Sequence, residues 1–266
     1  MTPAEIEQAA QALVHAERER HQTGVLSVAH PDITMDEAYA IQDAFVAAKQ
    51  AGGAVRKGWK IGLTSRAMQM ALGIDIPDSG VLFDDMFFET GGQVPADRFI
   101  EPRIEAEIAF VLRSDLAGAK VTRDEVLAAT DFVAPALEIL DTRILRSDPA
   151  TGAPRKVFDT IADNAANAGI VLGREKHKPD AFDLRWVGAI VARNGTVEET
   201  GLGAGVLNDP ALGIVWLTQR LANFGQGLSA GDVVLSGSFV RPVEAPHGSQ
   251  FRADYGAFGC VEIDFE

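Results

Sequence analysis

Ile104-Glu105-Ala106-Glu107-Ile108-Ala109-Phe110-Val111-Leu112 and Phe132-Val133-Ala134-Pro135-Ala136-Leu137-Glu138-Ile139-Leu140 are the two stretches on which the fold of this chain turns. The first alternates, so that a strand places Glu105 and Glu107 on one face and Ile104, Ile108 and Phe110 on the other. The second is apolar throughout and reads as a strand buried on both faces, with Glu138 its one ionisable side chain. Outward from this pair, the runs 57–63, 184–193 and 258–265 have the same short apolar or alternating texture, broken by Gly, Pro, Asp and Asn. Arg193-Asn194-Gly195-Thr196 reads as a hairpin turn, because Asn-Gly supplies the two positive φ angles of a type I′ loop.

Helical signals concentrate at the N-terminus. Thr2-Pro3-Ala4-Glu5 combines a cap, a proline in the first turn and a capping glutamate, followed by Ile6, Leu13 and Val14 on one face. Thr34-Met35-Asp36-Glu37 opens a second helix that runs to Gly52-Gly53. Beyond it, helices are expected only at about 122–129, capped by Thr122 and Glu125, and at about 209–224, begun by Asp209-Pro210. Long β stretches with few helices argue against a βαβ repeat. The expected class is α+β: a helical N-terminal region, residues 1–53, packed on a rolled mixed β-sheet over residues 54–266.

Composition narrows the function. The 266 residues are 47% apolar, enough for a core of ordinary size, and 38 acidic against 24 basic side chains leave a formal charge of -14. Such a surface repels phosphate backbones and anionic membranes, so neither nucleic acid nor membrane is an expected partner. The single cysteine, Cys260, rules out an intramolecular disulfide and reads as a small buried hydrophobe. The polar, amphipathic start and the lack of an 18-residue apolar window point to a cytoplasmic protein.

Glu105 and Glu107, with α-carbons about 6.6 Å apart along a strand, can converge on one divalent cation; equally, Glu-x-Glu can be the wet face of an amphipathic strand. Glu138 in its apolar run needs a cation, a proton or a metal, and Arg143 is the alternative partner by spacing. Three oxygen donors without His or Cys suit Mg²⁺ or Mn²⁺ with positions left for water and substrate. His15, His21, His30, His177 and His247 show no paired metal spacing and read as surface or structural.

Four other groups are candidates. Lys60, between Trp59 and Ile61 in a glycine-flanked strand, is a partly buried lysine able to titrate downwards and move protons. Asp78 is a second candidate acid-base group, or a turn former. Ser236, Gly237 and Ser238 follow an apolar strand and can aim hydroxyls and N–H groups at a carboxylate. Arg155 and Lys156, a basic pair in an expected loop, and Arg143 are candidates for a remote anionic group of the substrate.

Lys60-Ile61-Gly62-Leu63-Thr64, Pro77-Asp78-Ser79-Gly80, Pro102-Arg103-Ile104-Glu105-Ala106-Glu107, Pro135-Ala136-Leu137-Glu138 and Asp159-Thr160-Ile161-Ala162-Asp163-Asn164-Ala165-Ala166 resemble, across essentially the whole chain, the hydratase and decarboxylase family of the fumarylacetoacetase fold. The resemblance implies that Glu105, Glu107 and Glu138 hold Mg²⁺ and that Lys60 and Asp78 adjoin the reacting carbons. It also implies hydration of an unsaturated 2-oxo dicarboxylate in the breakdown of aromatic compounds, and a homo-oligomer, often a decamer built from dimers. The rival activities are decarboxylation of a 2-oxo-enedioate and hydrolysis of an acylpyruvate. A non-catalytic assembly partner of such an enzyme is the rival from another class.

Overall fold

A computed structural model describes residues 1–66, 69–70 and 74–266. Three helices open the chain: α1 (Pro3–Glu19), α2 (Leu26–Ala29) and α3 (Met35–Ala51). Both expected capping boxes form: Thr2 and Thr34 accept from the amides of Glu5 and Glu37, whose carboxylates reach back to the cap amides. Leu13, Ile41 and Phe45 from α1 and α3 build a small core with Ile144 and Ile161, separate from the core between the sheets.

As expected of an α+β chain, the strands beyond the helices form mixed sheets, two in number. The larger has the order β2-β1-β10-β5-β6-β7-β3, with β11 also on β5, from β1 (Arg56–Gly62), β2 (Asp78–Phe83), β3 (Phe87–Glu89), β5 (Arg103–Leu112), β6 (Thr130–Leu140), β7 (Asn167–Leu172), β10 (Val233–Leu235) and β11 (Val243–Glu244). The smaller, in the order β4-β13-β12-β8-β9, comprises β4 (Gly92–Val94), β8 (Gly188–Arg193), β9 (Thr196–Leu202), β12 (Gln250–Asp254) and β13 (Cys260–Phe265). The Asn-Gly hairpin joins β8 to β9, with φ of 51° at Asn194 and 79° at Gly195.

Helices α4 (Arg123–Ala129) and α6 (Pro210–Ala222) lie where the caps place them. One helix, α5 (Val157–Ala162), was not legible as such: its cap residue is Lys156, which supplies no side-chain cap. The Asp159 carboxylate instead accepts from the Lys156 amide and from Ser27, tying α5 to α2. Cys260 is half-buried, not sealed in the core.

Edge strand β2 is closed by a device outside the usual ladder. Asn164, Ala165 and Ala166 have φ of 51°, 53° and 57°, a left-handed turn that non-glycine residues adopt at a cost. The turn sets the Asn164 amide against Val81, its Oδ1 accepting from the Val81 amide at 2.7 Å and its Nδ2 donating to the Val81 carbonyl at 3.0 Å. Asn164→Ala leaves the buried Val81 amide without a partner, while the Val81 carbonyl keeps the Asn167 Nδ2 donor at 3.1 Å, and is expected to lower unfolding free energy by about 1–3 kcal/mol in urea titration. A loss under about 0.5 kcal/mol would show that the Asn164 clamp is dispensable.

Candidate metal centre

The antiparallel register of β5 on β6 sets Glu105 directly opposite Glu138, and Glu107 one alternate position along, opposite Ala136. Strand pleating keeps Glu105 and Glu107 on one face, and facing residues across a ladder point the same way. One carboxylate oxygen from each of Glu105, Glu107 and Glu138 falls within 4.8 Å of the other two. Oxygen donors gathered this closely could hold one divalent cation among them. Glu107 and Glu138 are fully buried, whereas Glu105 is reached from the adjoining cavity.

Their oxygens are not otherwise satisfied. Glu107 Oε2 accepts from the Gly237 amide at 2.7 Å, but Glu107 Oε1 and both oxygens of Glu138 have no hydrogen-bond partner. Buried, unpartnered carboxylate oxygens are rare because their desolvation goes uncompensated. Among the described residues, the cation in contact with them is Lys60, whose Nζ lies 3.3 Å from Glu138 Oε1, an ion-pair contact without hydrogen-bond alignment, and donates to the Ala165 carbonyl at 3.1 Å. One ammonium does not neutralise three carboxylates; an additional divalent cation does, and an all-oxygen donor set matches a hard ion.

Protonation behaviour follows from this crowding. Burial, then the neighbouring Glu138, pushes the Glu105 carboxyl up to about 8; the same two causes, joined by Glu105, push Glu107 well above the usual carboxylate range. Burial raises Glu138 too, opposed by Lys60. Lys60 itself departs from expectation. Burial alone favours the neutral amine, but Glu138, Asp78, Glu105 and Glu107 together outweigh it and hold Lys60 above the ordinary lysine value. Asp78, the first residue of β2 and not a turn former, is raised by burial and lowered in part by Lys60; its Oδ1 has no hydrogen-bond partner. A Cβ on the facing Gly62 would stand 2.2 Å from that oxygen, so only glycine admits the Asp78 carboxyl here.

A cavity of about 560 Å³ adjoins the carboxylates, lined among others by Lys60, Asp78, Glu105, Arg155, Lys156 and Ser238. No protein-family model matches the chain. It is 52% identical, over 96% of its length and 96% of the other's, to the 2-oxo-hept-4-ene-1,7-dioate hydratase of Escherichia coli. Its structure superposes with a TM-score of 0.93, at 30% identity over 100% of this chain and 99% of the other, on the 4-oxalocrotonate decarboxylase of Pseudomonas putida G7. The chain belongs to the hydratase and decarboxylase family of the fumarylacetoacetase fold. A more distant member of the fold, fumarylacetoacetate hydrolase of Exiguobacterium antarcticum, superposes at a TM-score of 0.58 and 14% identity over 80% of this chain and 76% of that one.

For this family member the structure gathers Lys60, Asp78 and the three glutamates around one point and sets Arg155 and Lys156 on the cavity wall. Arg143 stands elsewhere. It is 2% exposed, its Nε and amide bonded to the Asp163 carboxylate and its terminal nitrogens to Glu17 and to the carbonyls of Asp163 and Asn167. A guanidinium so fully engaged is a structural clamp, neither the partner of Glu138 nor a cation on the wall of the cavity beside the carboxylates. Part of the Ser236-Gly237-Ser238 turn is committed to the protein itself. The Gly237 amide grips Glu107, the Ser238 hydroxyl donates to the Val240 carbonyl, and only the buried Ser236 hydroxyl stays unpartnered. Two wall cations went unread: Arg103, which the same alternation places on the face of Glu105 and Glu107, and Arg241. Their signal was present but submerged among commonplace surface arginines.

In the folded, cation-free protein Glu105 keeps its proton up to about pH 8, whereas a free glutamate loses it near 4.5. The folded state therefore binds more protons than the unfolded one between those values, and stability falls as pH rises through that window. Thermal unfolding of cation-free wild type is expected to drop between pH 5 and 8 more steeply than that of Glu105→Gln. Parallel profiles would show that Glu105 titrates normally.

Proposed function

We propose that the chain is a Mg²⁺-dependent hydro-lyase that adds water across the chain of 2-oxo-hept-4-ene-1,7-dioate to give 4-hydroxy-2-oxoheptane-1,7-dioate in the breakdown of aromatic compounds. The carrying observation is the three-glutamate cluster with unpartnered oxygens opening on a cavity with arginine and lysine on its wall. Supporting it are the 52% identity to a hydratase of that substrate and the superposition on a decarboxylase complexed with magnesium and adipate, itself a dicarboxylate.

Glu105, Glu107 and Glu138 would hold the ion; Mn²⁺ is the alternative. Bound there, it would polarise the substrate's 2-oxo group and so favour movement of the double bond from C4–C5 to C3–C4, a proton leaving C3 and returning at C5, which makes C4 electrophilic. Water then adds its oxygen at C4 and a proton is delivered at C3. Asp78 Oδ1, buried and unpartnered, accepts a hydrogen from the attacking water, and Lys60, kept protonated by the carboxylates around it, supplies the proton at C3. The Ser236 hydroxyl, with the backbone of Gly237 and Ser238, shapes the end that receives the 1-carboxylate. Arg155 and Lys156 take the 7-carboxylate. Arg155 carries no carboxylate partner among the described residues, and its guanidinium is disfavoured by burial and by the like charges of Arg146 and Arg103, so an incoming carboxylate relieves it.

The assembly is a homo-oligomer, a decamer built from dimers in this reading. Supporting it, Trp186, Ile190, Val197 and Leu202 on or beside the β8–β9 hairpin are 73%, 49%, 57% and 43% exposed, and β9 is the free edge of the smaller sheet. Among the described residues no helix is long and apolar enough to cross a membrane.

The dienol form of the substrate should lose its absorbance with Mg²⁺, not with EDTA, and without release of CO₂; stoichiometric CO₂ would make the enzyme a decarboxylase. Glu107→Gln should abolish both turnover and calorimetric Mg²⁺ binding. Arg155→Ala should raise KM for the diacid about tenfold or more while leaving that for a monoacid analogue near wild type, and equal changes would remove Arg155 from substrate recognition.

A further inference from the structure

Glu107 is held at both of its ends, and one of the two holders lies in the other sheet. Tyr255 follows β12 in the smaller sheet, is 4% exposed, and sends its hydroxyl between β5 and β6 of the larger one. There it accepts from the Glu107 amide at 3.2 Å and donates to the Ala136 carbonyl at 2.6 Å. These two groups face each other: Glu107 and Ala136 are register partners, and Ala106 and Ile108 turn their carbonyls the opposite way, toward Phe239 and Ser236. The hydroxyl therefore sits in the ladder at the one step between the position of Glu105–Glu138 and the strand interior.

The ring makes a second connection. It meets Phe239 edge to face, with centroids 6.1 Å apart, and Phe239 closes the Ser236-Gly237-Ser238 turn whose Gly237 amide holds Glu107 Oε2. The Tyr255 backbone is anchored in turn by its amide on the Gly259 carbonyl at 2.9 Å. One side chain thus touches the backbone of Glu107 and braces the loop that grips its carboxylate.

We propose that Tyr255 is a positioning residue for the cation, setting the spacing of β5 and β6 and the aim of Glu107 toward Glu105 and Glu138. The inference rests on the metal assignment made above. Groups that orient ligands rather than binding the ion themselves commonly change metal affinity 10–100-fold when removed. Tyr255→Phe deletes only the hydroxyl and keeps the ring, so the Glu107 amide and Ala136 carbonyl are left to close directly on one another.

Mg²⁺ binding to the full-length protein, titrated calorimetrically, is expected to weaken about tenfold in Tyr255→Phe. Thr218→Val is the control: it deletes another buried hydroxyl, bonded to the Ile214 carbonyl at 2.8 Å on α6, and should leave the affinity within twofold of wild type. Phe239→Leu, which loosens the brace without touching either hydrogen bond, should weaken binding too, and it serves in place of Tyr255→Phe if that variant does not fold. Unchanged affinity in the folded Tyr255→Phe protein, or an equal loss in Thr218→Val, would overturn the role of Tyr255. A wild-type protein that binds no Mg²⁺ would instead overturn the metal assignment on which it rests.

Discussion

Three carboxylates crowded together at the buried end of a cavity are the constraint to which the rest of the structure answers. Glu107 and Glu138 are fully buried and Glu105 partly so, and among the described residues one lysine, 3.3 Å from Glu138, makes an ion pair with them. Such an arrangement costs stability unless protons or a cation neutralise it, which is why burial drives Glu105 and Glu107 so far above the ordinary carboxylate range. The neighbouring architecture spreads this cost. A register that faces Glu105 with Glu138, an amide on Glu107 from Gly237, and an eight-stranded sheet that cannot part its central strands keep the three together.

The parts of the molecule away from the sheet serve the same point. The α1–α3 layer and α5 pack into a small core of their own, and α5 leads into the left-handed turn at Asn164-Ala165-Ala166. That turn closes the β2 edge through Asn164 and offers the Ala165 carbonyl to Lys60, fixing the ammonium beside Glu138. Arg143, locked on Asp163, holds the start of the turn. Backbone strain of this sort persists only where surrounding contacts over-determine it.

Much of this was legible in the chain itself. Capping boxes at Thr2, Thr34 and Thr122 and the Asn194-Gly195 turn are local chemistry, and local chemistry carries over into structure directly. The alternation of Glu105 and Glu107 likewise needs only the strand period. What the chain could not disclose depends on distant partners. Lys60 looked like a lysine that burial would discharge, because the four acids that reverse the shift come from three other strands. Arg143 looked free because Asp163 and Glu17 reach it only in the folded state. Helix α5 lacked a side-chain cap at Lys156 and is held instead by Asp159 and Ser27, and Tyr255 gave no sign of standing between two strands of the opposite sheet.

Proton counting during cation binding tests the central claim most directly. If burial and crowding hold the Glu105 carboxyl up at about 8 while no cation is bound, then filling the site must expel its proton. Mg²⁺ titrations at pH 7 in buffers of different ionisation enthalpy should give one ion per chain with release of about one proton or more, a release that disappears in Glu105→Gln combined with Glu107→Gln along with binding itself. Binding of one Mg²⁺ with no proton release, or tight binding that survives the double substitution, would contradict the account.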